Sequence, residues 1–148
     1  MKLDDALSGV TRLGIDTAPF IYFLERNPTY VDRVRDVFQR ITKGHIVGVS
    51  SVVTLAEVLV RPKQLGNAIL AHQYQRLLLR SRHFSLQVID ATSAERAAAL
   101  RGRYAIRLPD AFQIAAAIQS GCTAFLTNDR QLQCVTDLRV IVLDDLTQ

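Results

Sequence analysis

The segment Arg12-Leu13-Gly14-Ile15-Asp16 contains a short apolar run that ends on a carboxylate. A run of this length with polar boundaries is typical of a buried strand. Residues 18–25 follow with the composition of a helix, and Pro19 suits its first turn. A strand followed at once by a helix favours a parallel sheet.

Short apolar runs alternate with longer helical segments from this stretch to the end of the chain. The further predicted strands are residues 45–49, 86–89, 122–126 and 140–143. The further predicted helices are residues 29–42, 52–60, 67–82, 92–103 and 109–119. This alternation predicts the α/β class with a parallel sheet.

Three local signals set the expected helix boundaries. Ser50 or Ser51 is expected to cap the helix at 52–60, and Pro62 to stop it. Thr92-Ser93-Ala94-Glu95 resembles a capping box at the start of the helix that follows the third strand.

Length and composition indicate one globular domain over residues 1–148. The chain is 49% hydrophobic and 22% charged, and it contains no repeat or low-complexity linker. Its net charge of +4 permits a nucleic-acid partner without requiring one. Cys122 and Cys134 lack zinc spacing and are expected to be small buried or half-buried side chains.

No segment of the sequence predicts export or membrane insertion. The start carries acidic residues and no apolar signal region, and no apolar run approaches the ~18 residues of a membrane span. We therefore expect a cytoplasmic protein with no membrane partner.

Four acidic residues fall where a parallel sheet places its ligands. Asp16 ends the first strand and Asp129 lies just beyond the fourth, and ligands of such sheets bind past the carboxyl ends of strands. Asp110 lies in the first turn of a helix, directly after Pro109. Glu57 interrupts an apolar helical run, where a buried and unpaired acid is costly.

Each acid also has an ordinary structural interpretation. Asp16 suits a helix N-cap, and Asp110 suits the positive end of a helix dipole. Glu57 fits an exposed position on an amphipathic helix, and Asp129 fits a turn. The joint occurrence of two acids at strand ends and one inside an apolar run favours a shared site.

A cluster of carboxylates has a specific chemical use. Two carboxylates about 4 Å apart repel by roughly 4 kcal/mol at an effective dielectric constant of 20, so a cluster needs protons, arginines or a bound cation. Oxygen-only ligands suit Mg²⁺ or Mn²⁺, which activate water and offset phosphate charge. The sequence has no phosphate loop, dinucleotide fingerprint, nucleophile elbow or zinc-protease motif, and its three histidines lack ligand spacing.

At these acids the chain resembles the PIN-domain nucleases, and among them the VapC-type toxins of toxin–antitoxin pairs. The similarity covers nearly the whole chain. The matching segments, in order, are Leu13-Gly14-Ile15-Asp16-Thr17, Thr54-Leu55-Ala56-Glu57-Val58, Leu108-Pro109-Asp110-Ala111-Phe112-Gln113-Ile114-Ala115-Ala116-Ala117 and Phe125-Leu126-Thr127-Asn128-Asp129.

The resemblance implies a fold, an activity and partners. The fold is a central parallel sheet of about five strands with helices on both faces. The activity is Mg²⁺- or Mn²⁺-dependent endoribonuclease cleavage of RNA, in a protein that is often a homodimer and is inhibited by a cognate antitoxin.

The resemblance also implies roles for individual residues. Asp16 and Asp110 correspond to the most dependable metal ligands, and Glu57 and Asp129 complete the catalytic cluster, partly through water. The neighbouring residues that orient water or metal are Thr17, Thr127 and Asn128. Two departures are minor: residues 1–10 are longer than the usual start and form a tail or an extra contact, and Leu132 stands where an aromatic residue is common.

Further surfaces are expected for RNA and for a protein partner. The predicted RNA-binding rim consists of Arg76, Arg80, Arg101, Arg103 and Arg107. Residues 20–24 are apolar nearly all round a short helix, which suggests either a partner contact or a helix buried on two sides.

Two other functions compete with the nuclease. One is a PIN-like module that binds RNA or a partner without cleavage, which an assay with and without EDTA distinguishes. The other is a phosphoryl-transfer α/β protein, a phosphatase or a receiver domain. The second acid expected two residues after Asp16 is absent, and no lysine follows Lys63.

Overall fold

The computed structural model describes residues 1–147. The strands in this part of the chain are β1 (Arg12–Ile15), β2 (Val47–Ser51), β3 (Phe84–Gln87), β4 (Ala124–Thr127) and β5 (Arg139–Val142). The helices are α1 (Leu3–Ala6), α2 (Thr17–Leu24), α3 (Val31–Thr42), α4 (Val52–Gln64), α5 (Ala68–Arg80), α6 (Ala91–Arg103) and α7 (Leu108–Gln119), with 3-10 turns at Arg130–Cys134 and Leu143–Asp145.

The five strands form one parallel sheet in the order β3-β2-β1-β4-β5. The chain first builds outward from β1 through β2 to β3, and then returns to the other side of β1 for β4. The switch point of the sheet therefore lies between the carboxyl ends of β1 and β4, where ligands of open α/β sheets bind. The predicted fold class, an α/β protein with a parallel sheet, is confirmed.

Helices cover both faces of the sheet. One apolar cluster joins β1 residues to α2, α3 and α5, with Leu13, Phe20 and Tyr74 among its buried members. A second cluster joins β2 and β4 to α6 and α7, with Phe125 and Ile114 at its centre. The two clusters bury opposite faces of one sheet, as a doubly covered parallel sheet requires.

Gly14 permits the close approach of α7 to β1. A Cβ atom at this position would lie 2.7 Å from the Cβ of Ala117 and 2.9 Å from Cδ1 of Phe125. Both neighbours are buried, so neither has room to move. The glycine thereby fixes the distance between β1, which leads to Asp16, and the helix that carries Asp110.

Residues 1–10 pack against the rest of the domain. Of the two alternatives given for this segment, a tail and an extra contact, the structure shows the contact. Leu3, Leu7 and Val10 are buried in the first apolar cluster. The backbone NH of Thr147 donates to the carbonyl of Met1 at 2.8 Å, and Arg139 Nη1 donates to the carbonyl of Ala6 at 2.7 Å.

Some predicted boundaries were wrong. Helix α4 continues through Pro62 to Gln64, although Pro62 lacks the backbone NH that would donate within the last turn. The capping box at α6 is formed by Asp90 and Ser93 rather than by the predicted Thr92 and Glu95.

Strand β2 begins and ends two residues later than predicted, and so includes Ser50 and Ser51. Of the two, Ser51 caps α4. Cys122 is buried as expected, whereas Cys134 is exposed; both thiols are free. No helix within residues 1–147 is long and apolar enough to cross a membrane.

Candidate active site

Asp16 is held at the carboxyl end of β1 by two hydrogen bonds. The backbone NH of Thr17 donates to Oδ1 at 2.8 Å, which makes Asp16 the N-cap of α2. The Thr127 hydroxyl, at the end of β4, donates to Oδ2 at 2.8 Å. The two hydrogen bonds thus hold both carboxylate oxygens between the ends of β1 and β4. Asp16 is therefore a helix N-cap and also a member of the candidate site.

Burial raises the pKa of the Asp16 carboxyl to about 6 from its ordinary value of 3.8. The main cause is loss of water around a residue that is only 9% exposed. The two hydrogen bonds lower the pKa, and the negative charges of Asp110 and Glu57 raise it further. A nearby cation would therefore stabilise the charged form of this buried carboxyl more strongly than that of an exposed one.

The four predicted acids line one cavity of about 300 Å³. The wall of the cavity is completed by residues of α2, the α7 start and the β4 end. The lining residues are Asp16, Thr17, Ala18, Ile21, Tyr22, Glu57, Arg107, Asp110, Asn128 and Asp129. Side chains more than 110 residues apart in the sequence are therefore neighbours at the switch point.

Asp110 reaches the cavity from the first turn of α7. Its side chain is 11% exposed, and its Oδ2 lies 3.3 Å from Nε of Arg107, at the N-cap of the same helix. The Asp110 carboxylate is the main cause that raises the pKa of Arg107, with smaller contributions from Glu57 and Asp129. Arg107 is thus the cation of an otherwise acidic cavity wall.

Glu57 and Asp129 occupy the more open part of the cavity. Glu57 is exposed on α4, and its Oε1 accepts from the Thr17 hydroxyl at 2.7 Å. Asp129 caps the following 3-10 turn, where its Oδ1 accepts from the Gln131 NH at 3.0 Å. The amphipathic-helix and turn interpretations of these two acids are therefore correct as local geometry, and both side chains still line the cavity.

A buried amide organises the floor of the site, and the sequence analysis missed it. Gln113 lies one helical turn after Asp110 and is 3% exposed. Its Oε1 accepts from Ser51 at 2.6 Å, and its Nε2 donates to the hydroxyls of Thr17, at 3.1 Å, and Thr54. A polar residue inside an apolar helix face is the signal that identified Glu57, and it could have identified Gln113 too.

Thr17, Thr127 and Asn128 have distinct positions. Thr17 links Gln113 to Glu57, and Thr127 links Asp16 to the backbone NH of Asp129 at 3.0 Å. Asn128 also lines the cavity, and both ends of its side-chain amide are hydrogen-bonded within the protein. Its amide donates to the Tyr22 hydroxyl at 3.3 Å, and its oxygen accepts from the Asp144 NH at 3.2 Å.

The predicted arginine rim is only partly assembled. Arg107 lines the cavity, and the other four arginines are not among its lining residues. Arg103 pairs with Asp137 at 3.1 Å, while Arg76 and Arg80 line a separate groove beside Leu24. Arg101 is exposed on α6.

The four carboxylates are not arranged to bind a metal ion without some movement of their side chains. Within residues 1–147, no three His, Cys, Asp or Glu side chains are oriented closely enough to hold a metal ion. Thr17 donates a hydrogen bond to Glu57, and Arg107 forms an ion pair with Asp110. A cation that binds Asp110 directly would therefore displace Arg107.

A parallel sheet with a carboxylate-lined cavity at its switch point defines the class, an α/β protein with an acidic site. The family model described as "PIN domain" matches residues 14–138. The chain belongs to the PIN domain family. This assignment leaves no support for the phosphatase or receiver alternatives, and no curated protein matches the chain significantly.

Solved structures share the fold at low sequence identity. VapBC2 from Rickettsia felis, bound to a promoter DNA fragment, matches with a TM-score of 0.71 and 14% identity over 89% of this chain and 98% of that chain. A toxin–antitoxin complex from Klebsiella pneumoniae matches with a TM-score of 0.65 and 23% identity over 90% and 98%. FitAcB from Neisseria gonorrhoeae matches with a TM-score of 0.67 and 20% identity over 92% and 100%.

Proposed function

We propose that this chain is a metal-dependent endoribonuclease and the toxin of a type II toxin–antitoxin pair that acts in the cytoplasm. The observation that carries the proposal is the convergence of Asp16, Glu57, Asp110 and Asp129 on one cavity. Membership of the PIN family and the fold shared with toxin–antitoxin complexes support it.

The donor chemistry of the cavity fits Mg²⁺ or Mn²⁺. All four candidate ligands are carboxylates, and hard divalent cations prefer oxygen. Asp16 and Asp110 are the buried members and would hold the ion directly, while Glu57 and Asp129 would complete the site, partly through water. Such an ion, when bound, lowers the pKa of water and offsets the charge that develops on a phosphodiester.

The chain's own residues orient the carboxylates for this role. Thr127 and the NH of Thr17 fix both oxygens of Asp16, so its orientation does not depend on the ion. Gln113 fixes Thr17, whose hydroxyl in turn holds Glu57 at the cavity mouth. Such preorganisation reduces the reorganisation needed when an RNA phosphate enters.

The open side of the cavity supports an RNA substrate. Glu57 and Arg107 are both exposed there, so a phosphate has access to the acids and to a guanidinium. Arginine binds phosphate oxygens through two parallel hydrogen bonds. The net charge of +4 favours a polyanionic partner.

An antitoxin is the proposed protein partner. Exposed apolar side chains, which water disfavours, lie where α4 meets α5: Leu65 is 68% exposed and Ile69 is 76% exposed. By contrast, Phe20 of α2 is buried and residues 21–24 are half-buried against the core. We also propose that two copies of this chain form a homodimer.

An RNA cleavage assay tests the function. Wild-type protein, freed of any co-purified inhibitor, should cleave RNA with Mg²⁺ or Mn²⁺ and stop when EDTA is added. Asp16→Asn and Asp110→Asn should each lower the rate by at least about 100-fold, because each removes a buried ligand. Asp32→Asn, which changes an exposed acid of α3, is the matched control and should cleave like the wild type. Wild-type rates in either site variant would contradict the assignment.

A non-catalytic PIN-like module is the second candidate. The pairing of Arg107 with Asp110 and the lack of three ligands in position favour it. It predicts RNA or partner binding that is unchanged by EDTA, with no cleavage product under any metal condition.

A further inference from the structure

Arg107 forms an unusual ion pair for an exposed side chain. It is 75% exposed, yet its partner Asp110 is 11% exposed and lies inside the acidic cavity. The pair of Arg35 and Asp32 has the same spacing and a similar distance of 3.2 Å, but Arg35 is 49% exposed and Asp32 is 65% exposed. The pair at Arg107 therefore neutralises a buried carboxylate, whereas the pair at Arg35 joins two solvated charges.

The contact is also easily broken. One nitrogen of Arg107 approaches one oxygen of Asp110 at 3.3 Å, and the rest of the guanidinium remains in solvent. A single contact of this type, made by an exposed guanidinium, contributes little to stability because water and salt screen it. A divalent cation has twice the charge and binds carboxylate oxygens directly, so it would displace the guanidinium.

The displaced guanidinium would remain at the cavity mouth. Arg107 is the N-cap of α7, and its backbone is fixed three residues before Asp110. Once free, its donors would face a region that is open to solvent and beside the site of phosphate chemistry. The planar fork of donors on a free guanidinium matches the geometry of phosphate oxygens.

We propose that Arg107 exchanges partners during function. Without metal it is an internal counter-ion that holds Asp110; with metal it is released and binds an RNA backbone phosphate beside the site. This inference rests on the proposed function, and it adds a positioning residue whose two states are coupled to metal binding.

The exchange predicts opposite changes in two affinities. Arg107→Gln removes a competitor for Asp110, so Mn²⁺ should bind about three- to fivefold more tightly. The same variant loses a charge-assisted phosphate contact, so RNA should bind about tenfold more weakly in the presence of Mn²⁺. The positive charge of a static Arg107 would shift both affinities in the same directions, so the dependence of the RNA loss on Mn²⁺ is the result that distinguishes the exchange.

Isothermal titration with Mn²⁺ measures the first affinity. The variants are Arg107→Gln, Arg107→Lys, which keeps the charge, and Arg35→Gln, which removes the matched pair on α3. Arg35→Gln should stay within about twofold of the wild type, and Arg107→Lys should lie closer to the wild type than Arg107→Gln does. Circular dichroism melts confirm that each variant is folded.

Fluorescence anisotropy with a labelled single-stranded RNA measures the second affinity. Every protein in this assay also carries Glu57→Gln, which should stop cleavage while Asp16 and Asp110 remain to hold Mn²⁺, and RNA integrity is checked on a gel after each titration. The loss caused by Arg107→Gln, relative to Arg35→Gln, should be larger with Mn²⁺ than with EDTA, because only the metal frees the guanidinium.

The outcomes separate this inference from the proposed function. Unchanged or weaker Mn²⁺ binding by Arg107→Gln, while the wild type binds Mn²⁺, overturns the exchange and leaves the metal site standing. Equal RNA losses with Mn²⁺ and with EDTA also overturn it. Absence of Mn²⁺ binding by both proteins overturns the metal site and the exchange together.

Discussion

The single residue Asp16 is less stable as a charged side chain at its buried position than it would be in water. Its carboxyl is buried beside two other acids, and its pKa is raised to about 6 because burial outweighs its two hydrogen bonds. A residue chosen for stability alone would not carry a charge here. A raised pKa of this kind is expected for a side chain that is positioned for binding or catalysis.

The raised pKa predicts that Asp16→Asn stabilises the metal-free protein at neutral pH. The folded pKa of about 6 exceeds the ordinary 3.8, so the stability that Asp16 provides when protonated is lost as pH rises through 6. The shift corresponds to roughly 2 to 3 kcal/mol at pH 7. Urea unfolding in EDTA should therefore give a higher unfolding free energy for the variant at pH 7.

The advantage of the variant should largely disappear at pH 4, where the wild-type carboxyl is protonated in the folded state. Asp32→Asn, at an exposed carboxylate, serves as the control at both pH values. Equal unfolding free energies of wild type and Asp16→Asn at pH 7 would show that burial does not strain this carboxyl.

At the scale of the elements, α7 positions much of the site. It carries Asp110 and Gln113 on one face, has Arg107 as its N-cap, and packs against β1 at Gly14. Its distance from the sheet therefore decides whether Asp110 lies near Asp16.

Gly14→Ala should disturb this packing. The new Cβ would lie 2.7 Å from Ala117 Cβ, so α7 must shift, at a cost of about 1 to 3 kcal/mol in unfolding free energy. Gly102→Ala is the matched control, because nothing lies within 4 Å of the added Cβ in α6. Alanine should stabilise that helix by about 0.5 to 1 kcal/mol. Chemical denaturation distinguishes the two, and a Gly14→Ala protein as stable as the wild type would contradict the close packing.

Gln113→Leu should weaken the links between α7, β2 and α4. Leucine fills similar space but leaves Ser51 and Thr54 without the amide partner, which costs about 1 to 3 kcal/mol. Thr17 also loses a donor, so RNA cleavage should fall although no acid has changed. Denaturation and cleavage rates of Gln113→Leu and Gln113→Glu test this, and wild-type values for both variants would exclude an organising role.

The sequence predicted the elements better than their connections. A carboxylate at a strand end and an acid in a first helical turn are local patterns, so Asp16 and Asp110 could be placed on β1 and α7. The partners of Gln113 are 59 to 96 residues away, and no local pattern reveals them. The two-residue shift of β2 had the same cause, because its register is set by pairing with β1 and β3.

At the scale of the whole molecule, both ends of the described chain close onto the sheet. The Met1 carbonyl accepts from Thr147, and Leu3 and Leu146 belong to one apolar cluster. The sequence could not decide between a tail and a contact for residues 1–10, because four apolar residues bury themselves only where α3 and β5 supply a surface.

We propose that the folded chain gathers four distant carboxylates into a site for one kind of ligand, a divalent metal ion. Anomalous X-ray scattering from a crystal soaked in Mn²⁺ detects such an ion. We expect a manganese peak about 2.0 to 2.5 Å from oxygens of both Asp16 and Asp110, with Arg107 displaced from Asp110. A fully soaked crystal with no peak in this cavity, or with manganese bound only elsewhere, would contradict it.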